Sequence, residues 1–206
     1  MKDLDAFLPG ILPFAPGCAT PTAHFGIRQA AIEFCERTRL WRSEDEFDVT
    51  EEGCEAVMSP EGSEIFEFEK ALFNDQPLIP KTTLWLDTNE NGWRLSTNTG
   101  RPRYITQTAP DTTTIVPKQA GRLKMYLWLK PSQDCTELPD FLADKYRETI
   151  AFGALSRILI VPNQSFTNFE MAGAFGQLFE SRLGGLSNKG SIGQQRAALR
   201  TKSSMF

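Results

Sequence analysis

Hydrophobic periodicity changes twice along this chain, and that double switch constrains the fold more than any single motif. From Thr20 to about Trp41 the residues Ile27, Ala31, Phe34, Cys35, Thr38 and Trp41 recur every three or four positions, the spacing of one helical stripe. Thr20-Pro21 supplies an N-cap followed by proline at the first helical position. Glu33, Glu36, Arg37 and Arg39 are left for the wet face. From about Ser43 short alternating runs take over, separated by turn residues, and helical spacing returns only after Pro131. One helix is then expected from Pro139 to about Val161, with the stripe Leu142, Tyr146, Ile150, Ala154, Ile158 and Val161, and with Gly153 permitting close approach. A second, capped by Ser165 or Thr167, is expected to reach Leu186 with Phe169, Ala172, Gly176, Phe179, Leu183 and Leu186 on one side, stopped by Gly184-Gly185.

None of these stripes can be buried by its own helix, so the economical solution packs the three helices together. The expected fold is α+β: a helical bundle of one N-terminal and two C-terminal helices (21–42 and 134–186) with an inserted antiparallel β module (43–133). An extended N-terminal arm (1–20) and a C-terminal tail (187–206) flank it. Three prolines punctuate the arm, whose Phe7, Leu8, Ile11, Leu12 and Phe14 require an apolar surface to lie on. Within the module, strands are expected at 47–50, 54–58, 65–73, 103–108, 112–117 and 122–130. The last is the clearest, alternating Leu123, Met125, Leu127 and Leu129 against Lys124, Tyr126, Trp128 and Lys130. The last three strands are expected to form an antiparallel meander, with Leu84, Leu86 and Trp93 plugging the module's core.

Charge is distributed unevenly. Twelve acids and one base, Lys70, lie between Glu44 and Asp75, whereas the stretch from Ser181 to the end holds five bases and no acid. A solvated acidic face and a loose tail would account for this. So would an assembly in which the basic tail seeks an acidic groove. The net charge of −4 excludes a general nucleic-acid binder, and the five tail bases lack interleaved aromatics.

The chemistry of catalysis is thinly represented. His24 is the sole histidine, placed at a helix start where capping or a surface role is usual, which removes most histidine-dependent triads and metal centres. The four cysteines form no Cys-x-x-Cys pair, so a reduced intracellular protein without zinc is the simplest reading. Neither a Gly-x-Ser-x-Gly elbow nor a phosphate loop occurs. Asp87, Asn89, Asn91 and Gly92 follow the opening of a calcium loop, but position twelve is Asn98 where a bidentate Glu is needed, and the segment is read as a polar loop. No catalytic residue, metal or cofactor is therefore expected. Asp3, Asp5 and the prolines break the opening apolar stretch, which is not read as a signal peptide, and the longest apolar runs are far too short to span a membrane.

Three stretches carry a resemblance. Leu8–Arg42 combines a proline-rich arm, Pro16-Gly17-Cys18, and a helix containing Ile27-Arg28, Ala30-Ala31-Ile32-Glu33-Phe34-Cys35-Glu36-Arg37-Thr38 and Trp41. Tyr104-Ile105-Thr106-Gln107 is followed by a strand pair and Leu129-Lys130-Pro131-Ser132. Leu138-Pro139-Asp140 leads into Tyr146-Arg147-Glu148-Thr149-Ile150-Ala151 and Gly153-Ala154-Leu155 before Arg157-Ile158-Leu159. In this order and spacing they resemble the head-to-tail adaptor (connector) proteins of tailed bacteriophages.

That resemblance implies a non-enzymatic structural virion protein at the head-to-tail junction, made in the host cytoplasm. It implies self-association into a ring, commonly a dodecamer, below a portal protein and above a tail or nozzle protein. The genome DNA would pass through the channel without specific recognition during ejection, and no membrane is involved. The C-terminal segment would reach into the portal, with Ile192, Arg196, Leu199, Arg200, Lys202, Met205 and Phe206 as the docking residues. The alternative is a small acidic ion- or carboxylate-dependent binding module or enzyme built on the β insert.

Overall fold

A computed structural model of the 206-residue chain describes residues 1–50, 54–95 and 97–186. The fold is mixed α+β, and the chain divides into two compact units: Met1–Trp41 with the segment from Lys130 onward, and Arg42–Leu129.

In the first unit the opening residues are folded, contrary to the expected extended arm. A two-residue strand β1 (Lys2–Asp3) pairs antiparallel with β10 (Glu137–Leu138), and a 3-10 helix follows over Leu4–Gly10. Asp3 Oδ1 accepts from the Asp5 amide at 2.8 Å and starts that helix. Leu4, Phe7 and Ile11 are fully buried against the neighbouring helices. Burial of each is worth about 1.5–3 kcal/mol, enough to outweigh the extended preference of a proline-rich segment.

Helix α1 (Thr20–Thr38) begins with Ala19, not Thr20, at the N-cap, and proline stands in its first turn. It closes at Thr38, short of Trp41, because Arg39 adopts a left-handed conformation (φ 49°) and its amide returns to Cys35 O. The single helix expected from Pro139 is interrupted: α3 (Asp140–Lys145) and α4 (Arg147–Ile158) meet at Tyr146, whose φ of −126° lies outside the helical range. The Tyr146 ring packs against Phe34 and Phe141, so aromatic packing accompanies the break. Helix α5 (Phe169–Leu186) is capped by Asn168, which accepts from the Met171 amide, whereas Thr167 instead closes the preceding loop onto Val161 O. Gly184 and Gly185 lie in the last turn of α5, whose described end at Leu186 is the one expected.

Helix α4 runs antiparallel to both α1 and α5. Glycine makes the crossing possible: a Cβ on Gly153 would lie 2.9 Å from Ala30 Cβ and 2.9 Å from the Phe179 ring. The stripe residues are buried or, at Tyr146, Val161, Gly176 and Leu186, half-buried, except that Phe169 is 67% exposed. Glu33 and Glu36, assigned to the wet face, are half-buried, paired with Arg157 and Lys130.

The second unit contains two four-stranded sheets. One has the order β2 (Arg42–Val49), β9 (Gly121–Pro131), β4 (Ser63–Phe73), β5 (Gln76–Pro77). The other has the order β3 (Cys54–Ala56), β8 (Thr112–Val116), β7 (Tyr104–Thr106), β6 (Ile79–Pro80), with β6 and β7 parallel. The expected three-strand meander is therefore corrected: β7 and β8 pair, but β9 leaves them for the other sheet and lies antiparallel to β2. The alternation in β9 holds on its apolar side, where Leu123, Met125, Leu127 and Leu129 are fully buried. Trp128, on the other side, is also buried, with the Arg42 guanidinium 4.1 Å from its ring centre. Asn74 and Asp75 take positive φ in the two-residue turn joining β4 and β5. Thr82 caps a short helix α2 (Thr83–Asn89) that inserts Leu86 beside Trp93 and Val116, while Leu84, expected in this core, is 75% exposed.

Candidate functional site

The sequence-predicted docking residues Ile192, Arg196, Leu199, Arg200, Lys202, Met205 and Phe206, with the whole 187–206 tail, lie outside the described residues. What the structure does give is the place from which that segment departs: the carboxyl end of α5, at Leu186.

Near the opposite end of the helical unit three large apolar side chains are exposed, among exposed polar residues such as Asn163, Gln164, Asn168 and Glu170. Here the amino-terminal half of α1, the carboxyl end of α4 and the start of α5 come together. Gly26 abuts Ile158, and the Asn168 amide donates to Leu159 O at 2.9 Å. The residues beside these contacts are Phe25, Ile160 and Phe169, exposed by 57%, 50% and 67%. Single exposed apolar residues need no explanation, but three large ones on elements that meet at one junction are of the kind that partners cover. Helical spacing in the sequence assigns Phe169 to the interior.

The acidic stretch is less exposed electrostatically than its composition suggests. Register places Glu46 opposite Lys124 and Asp48 opposite Arg122, with Glu44 opposite Tyr126. The ion pairs run diagonally: Lys124 Nζ reaches Glu44 at 3.0 Å, Arg122 reaches Glu46, and Arg42 reaches Glu69 at 3.4 Å. The Glu44 carboxylate beside Lys124 raises the lysine's pKa, chiefly by their hydrogen bond. Asp45 Oδ2 accepts from the Met58 amide, and Glu55 from Thr50. Exposed pairs of this kind contribute little to stability, but they cancel charge that a basic partner would otherwise meet.

The calcium-like segment is closed by its own side chains. Asp87 accepts from Trp93 Nε1 at 2.8 Å and from the Arg94 guanidinium at 3.0 and 3.1 Å; Asn89 donates to Trp85 O. Arg94, followed by Trp93, holds the Asp87 carboxyl below the usual carboxylate range. A cation here would have to displace a guanidinium already in place. Elsewhere in this unit a pocket of about 430 Å³ is lined by Phe68, Leu78, Ile105 and Met125, with Glu69 and Lys81 among its polar residues.

His24 lies on the second turn of α1, half-buried, with Nε2 2.7 Å from Asp5 Oδ1. Asp3, Asp5 and His24 each bring a ligand-type atom to within 4.8 Å of the others. The sequence showed a lone histidine and two acids nineteen or more residues away. Nothing in that spacing announces a cluster, because folding of the opening residues onto α1 creates it. Cys35 offers no nucleophile: burial raises its thiol pKa far above the ordinary value. Among the described residues, no helix is long and apolar enough to cross a membrane. Neither a protein-family model nor any curated protein matches the chain.

Proposed function

We propose that this chain is a structural component of a virion, a head-to-tail adaptor that assembles as a ring, commonly of twelve copies, between a portal protein and a tail or nozzle protein. In this reading the unit formed by α1, α4 and α5 is a helical bundle that carries the β unit as an insertion, and the ring continues the channel through which DNA leaves. The observation that carries it is the exposure of Phe25, Ile160 and Phe169 on a unit that has its own buried core. Three side chains that cost free energy in water are accounted for if another polypeptide covers them. The segment beyond Leu186 departs from the opposite end, so body and tail can engage different partners at once. The resemblance in Leu8–Arg42 and Leu138–Leu159 supplies the class of assembly.

The competing reading, an ion-dependent module using the β insert, meets an Asp87 carboxylate already held by Arg94 and Trp93. The test is native mass spectrometry of the chain alone and co-expressed with a candidate portal protein. The expected result is a closed ring of fixed stoichiometry on the portal. It should be lost in the F25S/F169S double variant, whose substituted side chains are exposed and whose fold should survive. A chain that never associates, or a double variant that loads normally, overturns the proposal.

A further inference from the structure

We propose that Asp3, Asp5 and His24 form a binding site for a divalent first-row transition-metal ion, with Zn²⁺ the foremost candidate. The inference is independent of the virion reading.

Two short elements and one helix build the corner. Pairing of Lys2 with Leu138 and Asp3 with Glu137 fixes the chain's opening residues, as do ion pairs from the Met1 ammonium to Asp140 and from Lys2 to Asp144. The 3-10 turn then places Asp5 against His24 of α1. Both elements that supply ligands are anchored through buried neighbours, Leu4 and Phe7 on one side and Ala23 and Ile27 on the other.

The donor set matches the ion class. One imidazole nitrogen and two carboxylates suit zinc and its neighbours, whereas calcium and magnesium favour oxygen alone. Ligand atoms around a tetrahedral ion at about 2.1 Å stand about 3.4 Å apart. The 2.7 Å contact between His24 Nε2 and Asp5 Oδ1 would open by about 0.7 Å to admit an ion. Asp3 and Asp5 are exposed, so their carboxylates can turn to complete the set at little steric cost. Asp3 can keep one oxygen on the Asp5 amide while presenting the other, leaving the first helical turn intact.

A second observation concerns charge. Glu137 stands directly across from Asp3 in the β1–β10 pair, and like charges so placed repel. The corner thus sets Asp3 and Asp5 beside one imidazole, with Glu137 across the strand pair from Asp3. Nearby cations are engaged elsewhere: Met1 with Asp140, Lys2 with Asp144, and Arg28 with Cys135 O. A divalent ion would offset the accumulated negative charge and would clip the opening residues to α1.

The chain has one histidine, so one set of imidazole resonances reports on this corner alone. The experiment is titration of the tag-free, chelator-treated full chain with Zn²⁺, followed by calorimetry and by NMR of the imidazole ring, with Ca²⁺ and Mg²⁺ as controls. The expected result is one Zn²⁺ per chain, with the ring resonances shifting in step with binding and Co²⁺ displacing them further. D5N and H24Q should each weaken Zn²⁺ binding by about tenfold or more while leaving the far-UV circular dichroism unchanged. Zn²⁺ binding that leaves the ring resonances unmoved would place the ion on thiols and overturn the proposal. Absence of binding at millimolar Zn²⁺, or full affinity in both variants, would do the same.

Discussion

Adding one methyl group at the crossing of α1, α4 and α5 tests whether that packing is as tight as described. In Gly153→Ala the new Cβ would stand 2.9 Å from Ala30 Cβ, which is fixed to the α1 backbone, and 2.9 Å from Cε2 and Cζ of Phe179. Ala30 is 0% exposed and Phe179 2%, so neither neighbour has open space to retreat into. Overpacking of this kind costs about 1–3 kcal/mol, against a helix-propensity gain of about 1 kcal/mol for replacing glycine by alanine. Gly173→Ala in α5 receives the same gain with nothing within 4 Å of its Cβ, and should be stabilising by about 0.5–1 kcal/mol. Propensity cancels in the comparison, so the two variants should differ by about 1–3 kcal/mol, or about 2–12 °C in melting temperature for a chain of this size. Urea unfolding read by the far-UV helical signal is the suitable assay, because the two units need not unfold together. A G153A midpoint raised as much as that of G173A would refute the close crossing.

In β8, Thr113 Oγ1 is buried without a hydrogen-bond partner among the described residues. Thr113→Val should therefore raise stability by about 1 kcal/mol in the same denaturation assay, and a loss of that size would reveal a hydrogen bond at this oxygen. Asp87 has a lowered folded pKa, so its contribution is present above the unfolded value of about 3.9 and is lost as pH falls through the lower folded value. Acid titration should cost the wild type more β-unit stability over that interval than Asp87→Asn, and coincident profiles would count against the Arg94 and Trp93 contacts.

Long-period hydrophobic patterning was the legible part of this fold. The stripes of α1 and α4 correctly located Ile27, Phe34, Ile150 and Ala154 in the core, and strict alternation identified the buried face of β9. Decisions that depend on tertiary closure were not legible. Tyr146 satisfies the stripe spacing, but its ring packs on Phe34 and Phe141 where α3 gives way to α4. The strand at Gly121–Pro131 follows β8 in sequence and the turn chemistry suggested that they pair. Its alternating face served the β2 sheet instead, and adjacency in sequence carries no information about that choice.

Charge shows the same division between counting and closure, with opposite outcomes at two places. Twelve acids in the Glu44–Asp75 stretch made it the most prominent electrostatic feature of the sequence. Pairing with β9 brings Lys124 to Glu44 and Arg122 to Glu46, while Arg42 reaches Glu69, so three of those twelve acids meet bases within the sheet. At the corner near His24 two carboxylates are involved, from positions 3 and 5, with Glu137 across the strand pair from Asp3, and no short window of sequence contains them all. Folding brings Asp3 and Asp5 to one imidazole, sets Glu137 across from Asp3, and commits Met1, Lys2 and Arg28 to other acceptors. A long acidic run on a paired strand is open to cross-strand neutralisation, because register recurs every two residues and bases can be spaced to match. Carboxylates brought together by a chain terminus, a turn and a helix have no such periodic partner. Under the proposed ion site, residues remote in sequence and joined by closure, not the long acidic run, are where a cation should be sought.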